Sequence, residues 1–181
     1  MTLRAIASAT IIAVLFLSGC AKQPLPQEKA AAVSLVPVTF LQWQQSLAGY
    51  RGQFVVVDFW ATWCAPCIER FPHIVQLHEK YGRQGIRFVS MDLDDRSDPQ
   101  ALDRAREFLI THNAAFDNYR MDEVVPDAFE KLDLLGIPAV FIYDRQGKLR
   151  YRLTGDNPNK QYTNQDVDKA IEQILQDKSE L

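Results

Sequence analysis

From residue 36 onward the apolar positions of this chain switch between two periods, one suited to buried strands and one to amphipathic helices. Phe54-Val55-Val56-Val57-Asp58-Phe59-Trp60 is a near-continuous run of β-branched and aromatic side chains, the pattern of a strand covered on both faces. Before it, Thr39 is placed to cap a short helix carrying Phe40, Leu41, Trp43 and Leu47, which stops near Gly49. After it, residues 64–81 read as a helix with Ile68, Phe71, Val75 and Leu77 inward and Gly82 closing it. Pro72 inside that helix should kink it. A second buried strand is predicted over residues 86–91, and Asp98-Pro99 opens a helix running through Leu102, Ala105, Phe108 and Leu109 to about His112. A weaker strand over 116–121 and a short helix over 125–135 follow. Strands over 137–143 and 148–154 flank Asp144-Arg145-Gln146-Gly147, a hairpin signal. A helix over 163–176 carries Val167, Ala170, Ile171, Ile174 and Leu175. Strands alternating with helices, then a late hairpin, predict an α/β sandwich around a mixed sheet.

The first 34 residues follow neither period. Arg4 supplies a small positive region, and residues 5–17 are apolar except for Ser8 and Thr10, a stretch too short to span a membrane that reads as a secretion signal. It ends in Leu17-Ser18-Gly19-Cys20, which resembles the lipobox of bacterial lipoproteins, where the cysteine is acylated and becomes the mature N-terminus. The alternative is an ordinary signal peptide with an incidental cysteine. Residues 21–34 contain two prolines and few large apolar side chains, and read as a tether. The predicted layout is therefore a lipoprotein signal peptide over 1–19, a lipid-anchored tether over 20–34 and one domain over 35–181.

Composition narrows the function. A chain of 181 residues, 47% hydrophobic and 24% charged, suits one core. A net charge of −3 with no basic stripe argues against nucleic acid. Three cysteines are an odd number for an exported chain; acylation of Cys20 leaves Cys64 and Cys67 as one close pair, with no other cysteine to staple the fold.

That pair sits where a buried strand gives way to a helix. A helix N-terminus presents unpaired N–H groups and a partial positive charge, which stabilise a thiolate at Cys64. Cys67, one turn on, is spaced to attack a mixed disulfide formed by Cys64, making Cys64 the attacking and Cys67 the resolving thiol. A zinc site is disfavoured: Cys64, Cys67, His73 and His78 lack the separation of zinc-finger pairs, and the two histidines point apart on one helix. No metal or other cofactor is expected, and His73, His78 and His112 are expected at the surface.

Val56-Val57-Asp58-Phe59-Trp60-Ala61-Thr62-Trp63-Cys64-Ala65-Pro66-Cys67 closely resembles the active-site segment of thioredoxins, and Gly136-Ile137-Pro138-Ala139-Val140-Phe141 resembles that family's cis-proline loop. With the lipobox and a surplus over about residues 95–122, the resemblance is to the TlpA/ResA-like branch of extracytoplasmic thioredoxins, over roughly residues 35–178. It implies a thioredoxin fold, a three-layer α/β/α sandwich whose mixed sheet carries an extra helix–strand insertion. It also implies that Asp58 is the buried acid taking the proton of Cys67, and that Trp63, Ala65, Pro66, Ile137 and a cis Pro138 receive an extended substrate segment. Trp60 belongs in the core. Where thioredoxins place a lysine near this acid, the aligned residue is Ser90.

The function so implied is reduction of disulfides in exported proteins, apocytochromes c among them, by a monomer supplied with electrons by a membrane protein. The location implied is the cell envelope, facing the periplasm, with the outer membrane preferred because Ala21 replaces the aspartate that resembles an inner-membrane retention signal. A copper-delivery or binding lipoprotein on the same fold, without oxidoreductase turnover, is the alternative, although related copper chaperones carry C-x-x-x-C. A peroxidase of the peroxiredoxin kind expects threonine where Ala61 stands.

Overall fold

The computed structural model describes residues 33–156 and 161–176. The expected signal segment, Cys20 and nearly all of the tether lie outside the described residues. In chain order the elements are β1 (Val36–Val38), α1 (Phe40–Gly49), β2 (Phe54–Trp60), α2 (Ala65–Tyr81), β3 (Ile86–Asp92), α3 (Pro99–Thr111), β4 (Asp117–Met121), α4 (Val125–Lys131), β5 (Ala139–Tyr143), β6 (Leu149–Thr154) and α5 (Asn164–Gln176). Among the described residues no helix is long and apolar enough to cross a membrane.

All seven residues of β2 are buried, which explains why the sequence there shows no alternation. One sheet orders the strands β1-β4-β3-β2-β5-β6. The pairings β1·β4, β4·β3 and β3·β2 are parallel, and β2·β5 and β5·β6 are antiparallel. On one face Val55, Val57 and Phe59 pack with Trp43 of α1 and Ala128 of α4. On the other, Phe54 and Val56 meet Ile74 and Leu77 of α2 and Val167 and Ile171 of α5, while Trp60 meets Phe71 of α2 and Ala105 and Leu109 of α3. The result is the expected three-layer α/β/α sandwich around a mixed sheet. Thr39 caps α1 through a reciprocal pair with Gln42, and Asp98 caps α3 by accepting from Gln100 and Ala101 N–H.

Several boundaries differ from expectation. The three-residue β1 was not predicted; with Pro37 at its centre and two exposed residues, it carries no strand pattern and exists only through its pairing with β4. Helix α4 ends at Lys131 rather than at 135, because Asp133 turns left-handed (φ 53) and Leu134 N–H bonds back to Phe129 O. Strand β5 starts at Ala139 rather than 137, since Pro138 has no N–H for the ladder and follows a cis peptide bond. Pro72 lies inside α2 without ending it. The inserted β4 is an interior strand, paired on both sides.

Asn118 of β4 is buried with its amide fully used: it donates to Ala114 O and Phe116 O, each at 2.9 Å, and accepts from Ser90 Oγ at 2.8 Å. Asn118→Ala leaves a hydroxyl and two carbonyls without these partners and should lower stability by about 3 kcal/mol. Urea denaturation of wild type and variant checks this, and a loss well under 1 kcal/mol would contradict it.

Candidate active site

The site begins where β2 stops. Trp60 and Ala61 are fully buried, Thr62 is half-buried, and Trp63 is 59% exposed. Cys64 then takes the N-cap position of α2 and is itself 4% exposed. Its carbonyl accepts the N–H groups of Cys67 (3.0 Å) and Ile68 (3.1 Å), closing the first turn. Pro66 suits that turn, where an N–H would have no helical acceptor. Cys67, 3% exposed, is disulfide-bonded to Cys64 across a Cα–Cα distance of 5.3 Å. Cys64 thus stands at the positive end of the α2 macrodipole, which favours a thiolate over a thiol. Ala65 and Pro66 are exposed beside it.

A second loop completes the surface. The Ile137–Pro138 bond is cis, and Ile137 packs against the cluster that contains both cysteines. The antiparallel register Phe59↔Ala139 brings Pro138 level with the end of β2. Pro138 is buried, and its carbonyl accepts Gly155 N–H at 2.9 Å. A Cβ on residue 155 would stand 3.2 Å from Pro138 O and 3.3 Å from its Cδ, so glycine lets the end of β6 close on the proline. Trp63, Ala65, Pro66 and the cis-proline loop are thus gathered around one buried disulfide.

Asp58 lies two residues before the end of β2, on the strand face shared by Val56 and Trp60. It is 6% exposed, and burial pushes its carboxyl up to about 7 while the Arg70 guanidinium pulls the other way. Ser90 is directly opposite in the ladder, but its hydroxyl donates to Asn118. The cation acting on Asp58 therefore comes from α2. Arg70 stands three residues beyond Cys67, on neighbouring turns, with its Cζ 3.6 Å above the Tyr162 ring and Nη1 donating to Tyr162 O at 3.4 Å. Burial, followed by the charge of Asp58, raises the Tyr162 phenol, whose hydroxyl has no hydrogen-bond partner among the described residues.

Sequence reasoning missed Arg70 and Tyr162. The three-residue spacing from Cys67 was a signal that could have found Arg70, but nothing local placed Tyr162 beneath it. It also missed a buried polar group under the active-site loop, formed by Asp92, Asp94 and Arg120. The three histidines, expected to be exposed, are half-buried. His73 Nε2 lies 2.8 Å from Asp168 Oδ1, His78 packs edge-on against Phe88 and Phe116, and His112 packs against Phe108. Trp60 is in the core and Trp63 forms an exposed apolar edge, as predicted.

The Asp58 shift has a measurable sign. Below about pH 4 the folded and unfolded chains both keep its proton. Between about pH 4 and 7 the unfolded chain releases it and the folded chain keeps it, so stability falls with rising pH and levels off above the folded value. Asp58→Asn removes that loss and should stabilise the oxidised protein at pH 8, relative to pH 4, by up to about 4 kcal/mol. Urea titrations at both pH values check this; a difference that does not grow with pH would contradict it.

The sequence profile described as AhpC/TSA family matches residues 26–152. The thiol-disulfide oxidoreductase ResA of Geobacillus kaustophilus is 26% identical over 132 residues, covering 72% of this chain and 68% of that protein. Against the ResA proteins of two Bacillus strains the match spans 62% of their length. A thioredoxin of Coprinus comatus is 37% identical over 84 residues, 45% of this chain and 78% of that protein. Among solved structures, a Chlorobium tepidum protein assigned as thiol:disulfide interchange protein DsbE superposes with a TM-score of 0.58 at 28% identity, covering 71% of this chain and 84% of that one. A helix that begins at a C-x-x-C disulfide, facing a cis-proline loop on a thioredoxin-fold sheet, agrees with each of these likenesses, and the chain belongs to the AhpC/TSA family within the thioredoxin superfamily.

Proposed function

We propose that the protein is an extracytoplasmic thiol–disulfide oxidoreductase that reduces disulfides of exported proteins through Cys64 and Cys67. One observation carries the reading: Cys64 caps the start of α2 beside an exposed tryptophan and a cis-proline loop, with Cys67 buried behind it at disulfide distance. In the reduced protein the Cys64 thiolate attacks one sulfur of a substrate disulfide. A mixed disulfide forms and the other substrate sulfur leaves as a thiolate. Cys67 then gives its proton to the Asp58 carboxylate and attacks the Cys64 sulfur. The Cys64–Cys67 disulfide forms, the second substrate sulfur departs, and two electrons have passed to the substrate. An acid shifted to about 7 exchanges protons readily near neutral pH, which suits Asp58 to this step. Trp63, Ala65 and Pro66 offer an exposed apolar edge to the incoming segment, and Ile137 offers its backbone. Ala61, fully buried and without a hydroxyl, leaves the position expected of a peroxidase threonine empty of chemistry.

The names of the ResA and DsbE relatives support thiol–disulfide exchange, and the apolar segment over residues 5–17 supports extracytoplasmic work. The Leu-Ser-Gly-Cys ending of the signal supports lipid attachment at Cys20, with the outer membrane preferred. Exported disulfide proteins, apocytochromes c among them, are the proposed substrates. A membrane protein carrying a dithiol is the proposed donor, since the surrounding compartment is oxidising.

Cys67→Ser should accumulate mixed disulfides with partner proteins, and Cys64→Ser should accumulate few. Non-reducing gels after acid quenching read the difference, and equal trapping by both variants would reverse the roles. The stiff Ala65-Pro66 pair, with no histidine between the cysteines, should place the couple near the thioredoxin end of the scale, at about −270 mV. Equilibration with glutathione measures it. A value above about −180 mV would make the protein an oxidant or isomerase instead.

A further inference from the structure

Outside the cysteine site the described residues hold one buried ionisable cluster that the reaction does not use. Asp92, the last residue of β3, is 0% exposed, Asp94 2%, and Arg120 of β4 6%. Ionisable side chains are costly to bury unless their bonds are used, so what these three hold is informative.

They hold the active-site loop. The last rung between β2 and β3 is Leu93 N–H to Trp60 O at 2.8 Å. Beyond it no backbone carbonyl takes the Thr62 N–H. Instead it donates to the Asp94 carboxylate, 3.2 Å from both Oδ1 and Oδ2, and the Thr62 hydroxyl adds a bond to Oδ1 at 3.0 Å. Two residues later comes Cys64, whose own N–H bonds back to Ala61 O at 3.1 Å. Asp94 is fixed in turn, because its N–H donates to Asp92 Oδ1 at 3.0 Å. Arg120 closes the group from the inserted strand: Nη2 donates to Asp95 O at 2.6 Å, and Nε lies 3.8 Å from Asp92 Oδ2. Burial, with the charge of Asp94, raises the Asp92 carboxyl, as a second acid in so dry a place requires.

We propose that Asp94, backed by Asp92 and Arg120, is a positioning residue that clamps Thr62 and so fixes Cys64 at the start of α2, tying the attacking thiol to the inserted β4. The dipole's effect on a thiolate fades within one turn, so a loop free to lift Cys64 from the helix start would weaken it. This rests on Cys64 being the attacking thiol. Its test needs no substrate, so failure of the wild type to reduce insulin would sink the oxidoreductase reading without touching this measurement.

The experiment is the pH dependence of iodoacetamide alkylation at Cys64 in the reduced full-length protein, followed by peptide mass mapping. Thr62→Val, nearly isosteric at a half-buried position, should shift the profile to higher pH and slow alkylation at pH 7 about fivefold, less than the full worth of a bond to a carboxylate. Thr62→Ser keeps the hydroxyl and should remain within about twofold of wild type. Arg120→Gln should move the profile in the same direction as Thr62→Val. A wild-type profile for Thr62→Val overturns the proposal, and so does a Thr62→Ser shift as large as that of valine. An Arg120→Gln profile unchanged from wild type overturns the link to β4.

Discussion

All seven residues of β2 pair with β3 on one side and five of them with β5 on the other, and both faces of the strand are covered by helices. A strand held this way cannot slip or tilt without breaking two ladders and opening two cores. Its last residue, Trp60, is therefore a fixed point, and the Thr62-to-Cys64 loop, the start of α2 and the cis-proline turn are all placed relative to it. The same burial sets the chemistry. A carboxyl introduced into this strand, as Asp58 is, has no water to stabilise its charge, and its proton affinity rises until it is useful near neutral pH.

Much of this was legible along the chain because it rests on local pattern. The run from Phe54 to Trp60 gave the limits of β2 to the residue, and Cys64-Ala65-Pro66-Cys67 gave the helix start. The hairpin at Asp144 to Gly147 was equally clear: Gly147 has φ 82, and Asp144 Oδ1 accepts from Gln146 and Lys148 N–H. What escaped reading depends on distant partners. β1 is a strand only because β4 lies beside it. Asp92 and Asp94, read along the chain, look like polar punctuation after a strand. Their burial follows from Arg120 and from Thr62, both distant along the chain and on opposite sides of them. Arg70 is similar, an unremarkable helix cation until the chain returns with Tyr162 beneath its guanidinium.

The site departs from the thioredoxin pattern in a consistent way. With Ser90 opposite Asp58 and committed to Asn118, the strand side of the acid is neutral. The opposing charge arrives from the helix, on the turn that follows Cys67. An arginine stacked on a ring and bonded to a backbone carbonyl is more constrained than a lysine reaching in from a strand. The acid and the resolving cysteine thus share one helix as their frame.

The placement of β4 between β1 and β3 also bears on how the chain assembles and how it carries load. Val36 pairs with Tyr119, so the first strand to be synthesised has no partner until most of the sheet-forming sequence has emerged. Closing so long a loop is slow, and β1 docks late. Three residue pairs with β4 join β1 to the sheet, and just before it Val33 and Leu35 pack into the cluster around Trp60 and the cysteines. Tension applied there is borne by this packing and then by those pairs, and β1 can peel away while β4, β3 and β2 stay joined. The edge of the sheet thereby acts as a mechanical fuse, sparing the central strand from which the cysteine loop leaves.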